Sequence, residues 1–311
     1  TNIGAVRNTG IELGLNLGVI RNKNFTWDVN LAFARNWSKI TELPNGDDVS
    51  NNWFIGERLN VLRDYTSAGI ITTDGITMRT KDGDRHYTLQ EVYDTFGPGG
   101  QGLKWYEGQM AVNDWNNDGK INDEDKQIFG CTDPKWTGSL SSTMTYKGFD
   151  FSFMLYTKQG QWSRSYFHEQ YMNYGDRGRQ KVNFDYYIPA GTPVLDKNTG
   201  DVTYLSEAHI GKYPYPNNTE KTGGGYFSSS SAAVRYHKTS FVKVKNITLG
   251  YTFPKAWLSK IAVKHLRLYV NVINPFCFTD YEGFDPEWAS ANLTNGGPAS
   301  VTYQIGANIK F

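Results

Sequence analysis

Seven stretches of this chain alternate apolar and polar residues with a period of two, and the connections between them alternate short and long. In "IELGLNLGV", Ile11, Leu13, Leu15, Leu17 and Val19 fall on one face; Glu12, Gly14, Asn16 and Gly18 fall on the other. In "FTWDVNLAF", Phe25, Trp27, Val29, Leu31 and Phe33 share a face against Thr26, Asp28, Asn30 and Ala32. Alternation of this kind predicts strands. Five more are expected over 139–146, 149–157, 241–253, 264–273 and 301–311. In "FVKVKNITLGYTF" the apolar phase switches between Val244 and Ile247, which predicts a β-bulge near Asn246.

Two architectures accommodate seven such strands: a soluble sandwich, or part of a membrane barrel. Strands one and two are joined by "RNKN", three and four by Lys147 and Gly148, five and six by a short link containing "PKAWLSKIA". The other connections run to about 100, 80 and 27 residues. Outer-membrane barrels are built this way, with tight turns on the periplasmic side and long loops outside. Within the seven spans the apolar faces carry no Asp, Glu, Lys or Arg, whereas the opposite faces carry Glu12, Asp28, Asp150, Lys243, Lys245, Arg267 and Lys310. A basic side chain facing lipid at the midplane costs about 2–4 kcal/mol, but a sandwich core excludes charge too. Aromatics gather at the short-turn ends (Phe25, Trp27, Tyr146, Phe149, Phe151, Tyr251, Phe253 and Phe311), as in an interfacial girdle.

Composition excludes rather than assigns. The net charge of +1 offers no electrostatic reason to bind nucleic acid. No apolar run reaches the length of a membrane helix, which leaves a barrel open because its hydrophobicity is hidden in alternation. Two cysteines, Cys131 and Cys277, make no disulfide framework. The opening "TNIGAVRNTG" reads as the interior of something longer, so a C-terminal fragment is expected.

The stretch from Ser240 to Glu287 resembles the C-terminal region of the SusC/RagA family of TonB-dependent outer-membrane transporters. The resemblance rests on Gly250 to Pro254, Asn274, Phe278 with Thr279, and Gly283 to Glu287. "NTGIELGLNL", "NFTWDVNLAFARNWSKITEL" and "DWNNDGKINDEDKQIFG" are similar as well, in the same order; Asn274-Pro275 departs from the family's more frequent Asn-Leu. The resemblance implies an all-β chain, the C-terminal antiparallel strands of a transmembrane β-barrel of about 22 strands. Residues 1–311 would be one barrel segment, with long extracellular loops at 37–138 and 158–239, and with the N-terminal plug and earlier strands absent. It further implies a Gram-negative outer-membrane location and glycan import, with oligosaccharides first and oligopeptides second. The implied partners are a SusD-like lipoprotein, the TonB complex, the rest of the barrel and plug, and outer-membrane lipid.

The most chemically pointed stretch is "DWNNDGKINDED". Oxygen ligands Asp114, Asn116, Asp118, Asn122 and Asp125 fall at EF-hand spacing, with the Lys120 carbonyl as a further donor, Gly119 at the sharp turn and Ile121 placed to anchor the loop. Asp125 stands where an EF-hand has Glu. A structural calcium ion is expected; the alternative is a set of Asx turns in which these side chains cap their own backbone. The aromatics of the 158–239 connection, Trp162, Tyr166, Phe167, Tyr171, Tyr174, Tyr186, Tyr187, Tyr204, Tyr213, Tyr215, Tyr226 and Phe227, either line a vestibule or form the loop's own small core. Polar-face residues Glu12, Asp28, Asp150, Lys243 and Arg267 are expected to line a lumen or hold a plug. Asp285 and Glu287 can be offered as a glycosidase pair but lack a companion acid; His86, His168, His209, His237 and His265 show no metal or nucleophile spacing. No enzymatic role is expected. The competing function is a secreted calcium-dependent carbohydrate-binding sandwich.

Overall fold

A computed structural model of the chain describes residues 4–97, 102–171, 185–215, 232–259, 262–290 and 300–311. Seven long strands form one antiparallel sheet in strictly sequential order: β1 (Ala5–Arg21), β2 (Phe25–Glu42), β3 (Trp136–Tyr146), β4 (Phe149–Gln159), β5 (Phe241–Thr252), β6 (His265–Phe278) and β7 (Thr302–Lys310). These are the seven expected strands, and most run further at the long-loop end than the alternation indicated. Backbone ladders continue there without needing an apolar face.

The short turns are locally encoded. Asn22 accepts hydrogen bonds through Oδ1 from the N–H groups of Asn24 and Phe25, at 3.0 and 2.8 Å, so an Asx turn closes β1 onto β2. Lys147 and Gly148 both adopt positive φ, 45° and 92°, the conformation of a tight two-residue hairpin turn. Pro254 stops β5 and caps a short helix, Lys255–Leu258.

The register places Phe25, Tyr146, Phe149, Tyr251 and Leu268 in one row across five strands. Phe149 and Tyr251 lie 4.5 Å apart between ring centroids, and Tyr251 and Phe253 5.0 Å apart. The aromatic row is therefore continuous from β2 to β5 at the short-turn end.

The apolar face of the sheet is uncovered. Leu13 is 59% exposed, Leu249 52% and Ile305 87%. The remaining sheets among the described residues are two-stranded. A sandwich would bury this face under a second large sheet, so the sandwich reading gives way. The polar atoms on this face pair locally: Trp27 donates its indole N–H to Ser142 Oγ at 3.0 Å.

Besides a register shift between Ala5 and Val6 where β1 begins, two bulges interrupt the sheet. One lies between Val244 and Asn246, where the switch of phase predicted it; Lys245 is the extra residue against β4. The other, between Gly18 and Ile20, sets Ile20 rather than Val19 opposite Trp27. Alternation cannot reveal the second, because both residues are apolar.

The chain divides into two compact units: 1–61, 131–163 and 238–311, which holds the seven-stranded sheet, and 62–130 with 164–237. The second has its own core, built from Ile71, Met78, Tyr87, Val92, Tyr106 and Val112. Its helix Leu89–Phe96 starts with a capping box between Thr88 and Glu91. Cys131 is buried, Cys277 is exposed, and both are free thiols.

Candidate functional site

The EF-hand-like loop lies in the second unit. Gly119 has φ +77°, the left-handed turn that position requires. Ile121 packs against the core around Tyr87 and Val92, as expected for an anchor. Asp114 and Asp125 are both fully buried. Asp114 accepts from the N–H groups of Asp118 (3.2 Å) and Gly119 (3.0 Å), and Asp125 from those of Asn116 (3.2 Å) and Asn122 (2.8 Å). Asn116 Oδ1 accepts from Asp118 N, Asp118 Oδ1 from Lys120 N, and Asn122 Oδ1 from Glu124 N. Burial, then the neighbouring Asp114 charge, raises the Asp125 carboxyl above its ordinary range. No Lys or Arg pairs with either buried carboxylate among the described residues. Nor do three His, Cys, Asp or Glu side chains there converge as a metal cluster.

A different constellation sits on the polar face of the sheet. Lys243, only 2% exposed, places Nζ 2.9 and 2.8 Å from the two Asp285 oxygens and 2.5 Å from Glu287 Oε2. All three ammonium protons therefore have acceptors. Lys245 reaches both Glu287 oxygens at 3.0 and 2.8 Å. The bulge lets Lys245 and Asn246 follow one another on the polar side, and so aims the second ammonium at Glu287. Burial would raise the Glu287 carboxyl, but Lys243 and Lys245 outweigh it and hold it below its usual range. Asp285 Oδ1 also caps the turn Pro286–Trp288 by accepting from Glu287 N at 3.0 Å. These carboxylates are ion-pair partners, a geometry with no free acid for glycoside cleavage. Lys243, expected to line a lumen, is instead sealed beneath the 279–288 segment.

Below it, Arg267 grips Asp150 through two parallel bonds, Nε to Oδ1 at 2.8 Å and Nη2 to Oδ2 at 2.5 Å. The pair spans β4 to β6 across Gly250 of β5. A Cβ there would stand 2.5 Å from Asp150 Oδ1 and 2.6 Å from Arg267 Nη2, so any larger residue would have to push the bridge aside. Asp28 pairs with Arg21 at 2.8 Å. Glu12 is exposed on the same face.

Neutral groups fill much of the rest. Thr248 donates to Asn271 at 2.9 Å and Asn271 to Gln304 at 3.0 Å, while the hydroxyls of Thr26 and Thr145 meet at 2.5 Å.

Of the loop aromatics, Phe167, Tyr186, Tyr187 and Tyr213 are buried, as in the self-made core alternative. Trp162, Tyr166 and Tyr215 are half-buried, and Tyr204 is exposed. Tyr171 ends a short helix, and Tyr174, Tyr226 and Phe227 lie outside the described residues. His168, which the sequence left unremarkable, is fully buried; it meets Ser165 Oγ at 2.6 Å and Tyr213 Oη at 3.2 Å, and stacks on His237 with centroids 3.6 Å apart. Nothing in its local sequence distinguishes it.

No family model matches the chain. It is similar over its whole length to the TonB-dependent receptor SusC of Bacteroides thetaiotaomicron, 28% identical over 312 residues, and to the TonB-dependent receptor P3 of Formosa agariphila, 26% identical over 337. It spans 27% and 29% of those proteins. Among solved structures, the RagAB peptide transporter superposes on all of the chain with a TM-score of 0.62 at 20% identity, using 30% of that structure's chain. This last likeness is one of fold.

Proposed function

We infer that this chain, which is SusC/RagA-like throughout and folds as neighbouring strands of a TonB-dependent receptor barrel, is the C-terminal part of an active outer-membrane importer. The observation that carries the reading is the sheet's uncovered apolar face, bounded at the short-turn end by a continuous aromatic row. Hydrocarbon is the solvent that such a face fits. The short turns are then periplasmic, and the second unit belongs to the extracellular loops. A SusD-like surface lipoprotein as partner and energy from TonB follow from the kinship with SusC, and oligosaccharide is the preferred cargo. Supporting oligosaccharide over oligopeptide is the run of neutral hydroxyl and amide groups on the polar face, suited to polyols. The full-length protein is expected to need detergent for extraction and to support uptake of labelled oligosaccharide only with an intact TonB system. Buffer-soluble protein would overturn the membrane reading; uptake of peptides alone would overturn the cargo.

We further propose that the 114–125 loop takes one structural calcium ion, through Asp114, Asn116, Asp118, the Lys120 carbonyl, Asn122 and Asp125. Two buried carboxylates without a basic partner support it, since a divalent cation offsets the cost of enclosing them. The ion would stiffen the loop and take no part in transport chemistry. Calorimetric titration should show one calcium site in the wild type and about a tenfold or greater loss of affinity in Asp118→Ala. Identical isotherms would leave the loop as Asx turns.

A further inference from the structure

The polar face of the sheet carries a concavity of about 410 Å³, within the roughly 300–1,000 Å³ range of small-molecule sites. Gly14, Ala32 and Ser139 occupy neighbouring positions on β1, β2 and β3 and leave its floor low; Glu12, Thr137 and Tyr156 complete the lining. From Phe25 to Ala32 the strand runs about 23 Å, about 16–19 Å of height above the girdle row at the roughly 35–45° tilt of barrel strands, which puts the hollow in the extracellular half of the barrel wall.

The two walls differ in chemistry. Tyr156 is held from behind: the Lys245 ammonium lies 5.4 Å from its ring centroid and the Phe241 ring 6.1 Å away, and Lys245 is itself tied to Glu287. Glu12 stands opposite on an exposed stretch of β1, and no Lys or Arg pairs with it among the described residues. We propose that this hollow is a lumenal subsite for one sugar ring of the transported glycan, with Tyr156 stacking on the ring's C–H face and Glu12 accepting hydrogen bonds from its hydroxyls. A fixed aromatic ring gives contact area at little entropic cost. The carboxylate supplies acceptors with no cation to satisfy, and the Thr137 and Ser139 hydroxyls line the remaining polar margin. Lys245 and Glu287 are positioning residues that set the Tyr156 ring.

The proposal rests on the glycan-import reading. Its test uses the full-length transporter with its surface lipoprotein, in detergent, probed by calorimetry with defined glucan, fructan, xylan and mannan oligosaccharides and, in parallel, a tryptic digest of casein. Tyr156→Ala is expected to weaken binding of the cognate oligosaccharide about tenfold, with Tyr156→Phe recovering most of the loss. Glu12→Gln, whose amide still meets hydroxyls, should cost about threefold. Heat-modified gel mobility checks that each barrel is folded. Wild-type glycan binding that Tyr156→Ala leaves unchanged overturns the subsite and spares the import reading. A wild type that binds only peptides, with affinity collapsing in Glu12→Gln, overturns both the sugar assignment and the cargo.

Discussion

Replacing Lys243 by alanine is expected to destabilise the barrel segment by about 3–5 kcal/mol, the cost of breaking a buried ion pair from one side. Glu287 would keep Lys245, but Asp285, nearly as buried as the lysine it faces, would be left as a charge without a counterion. The loss should concentrate in the 279–288 segment, which the lysine fastens to β5 together with a bond from Thr279 Oγ1 to the Ser240 carbonyl at 2.8 Å. Urea unfolding of the detergent-refolded protein and hydrogen exchange along 279–288 measure the two effects. Substituting both partners, Lys243→Met with Asp285→Leu, should recover part of the stability, since matched apolar side chains need no counterion. An unaltered urea midpoint together with full protection of 279–288 in Lys243→Ala would show that the cluster holds nothing in place.

Acid is expected to loosen the second unit through His168. Burial, then the neighbouring His237 and Lys212, pushes its imidazole down to about 2 from the usual 6.5. A histidine lowered on folding is neutral in the native state and takes up its proton only when the structure opens. Its contribution is therefore complete above pH 6.5 and shrinks steadily as pH falls toward 2. Between pH 7 and pH 5 the loss is about 2 kcal/mol, from 1.36 kcal/mol for each unit below the unfolded value. The geometry points the same way: both ring nitrogens are engaged, and the stacked His237 would put a second positive charge against the first. Protection factors of amides around Ser165 and Tyr213, each taken against the intrinsic exchange rate at that pH, should fall more than tenfold on acidification, and His168→Phe should flatten that dependence. Equal protection at pH 7 and pH 5 in the wild type would rule the mechanism out.

What could be read in advance follows from the range of the interaction concerned. Alternation is a local signal, and all seven strands were legible from it. So was the bulge at Lys245, where Val244 and Ile247 betray a change of phase. Strand ends were less legible: β2 continues to Glu42 and β6 passes through Asn274 to Phe278, because hydrogen-bonded ladders persist where the side chains no longer alternate. The loop 114–125 announces itself because all its oxygen donors lie within a dozen residues. Lys243 and Asp285 do not, since they stand 42 positions apart and meet only once the segment after β6 folds back. Gly250 could be recognised as part of a family pattern. Its reason, a guanidinium and a carboxylate joined across it, belongs to three strands together.

The extra residue in β5 also works as an index mark. Removing Lys245 would shorten the strand by one place, and the hairpin would have to choose which end keeps its alignment. If Ile247 to Tyr251 stay facing hydrocarbon, Phe241 to Val244 turn inside out, Val242 and Val244 entering the pore and Lys243 meeting the acyl chains. A single deletion would thus turn a whole half-strand over, so the alignment of β5 on its neighbours hangs on one residue.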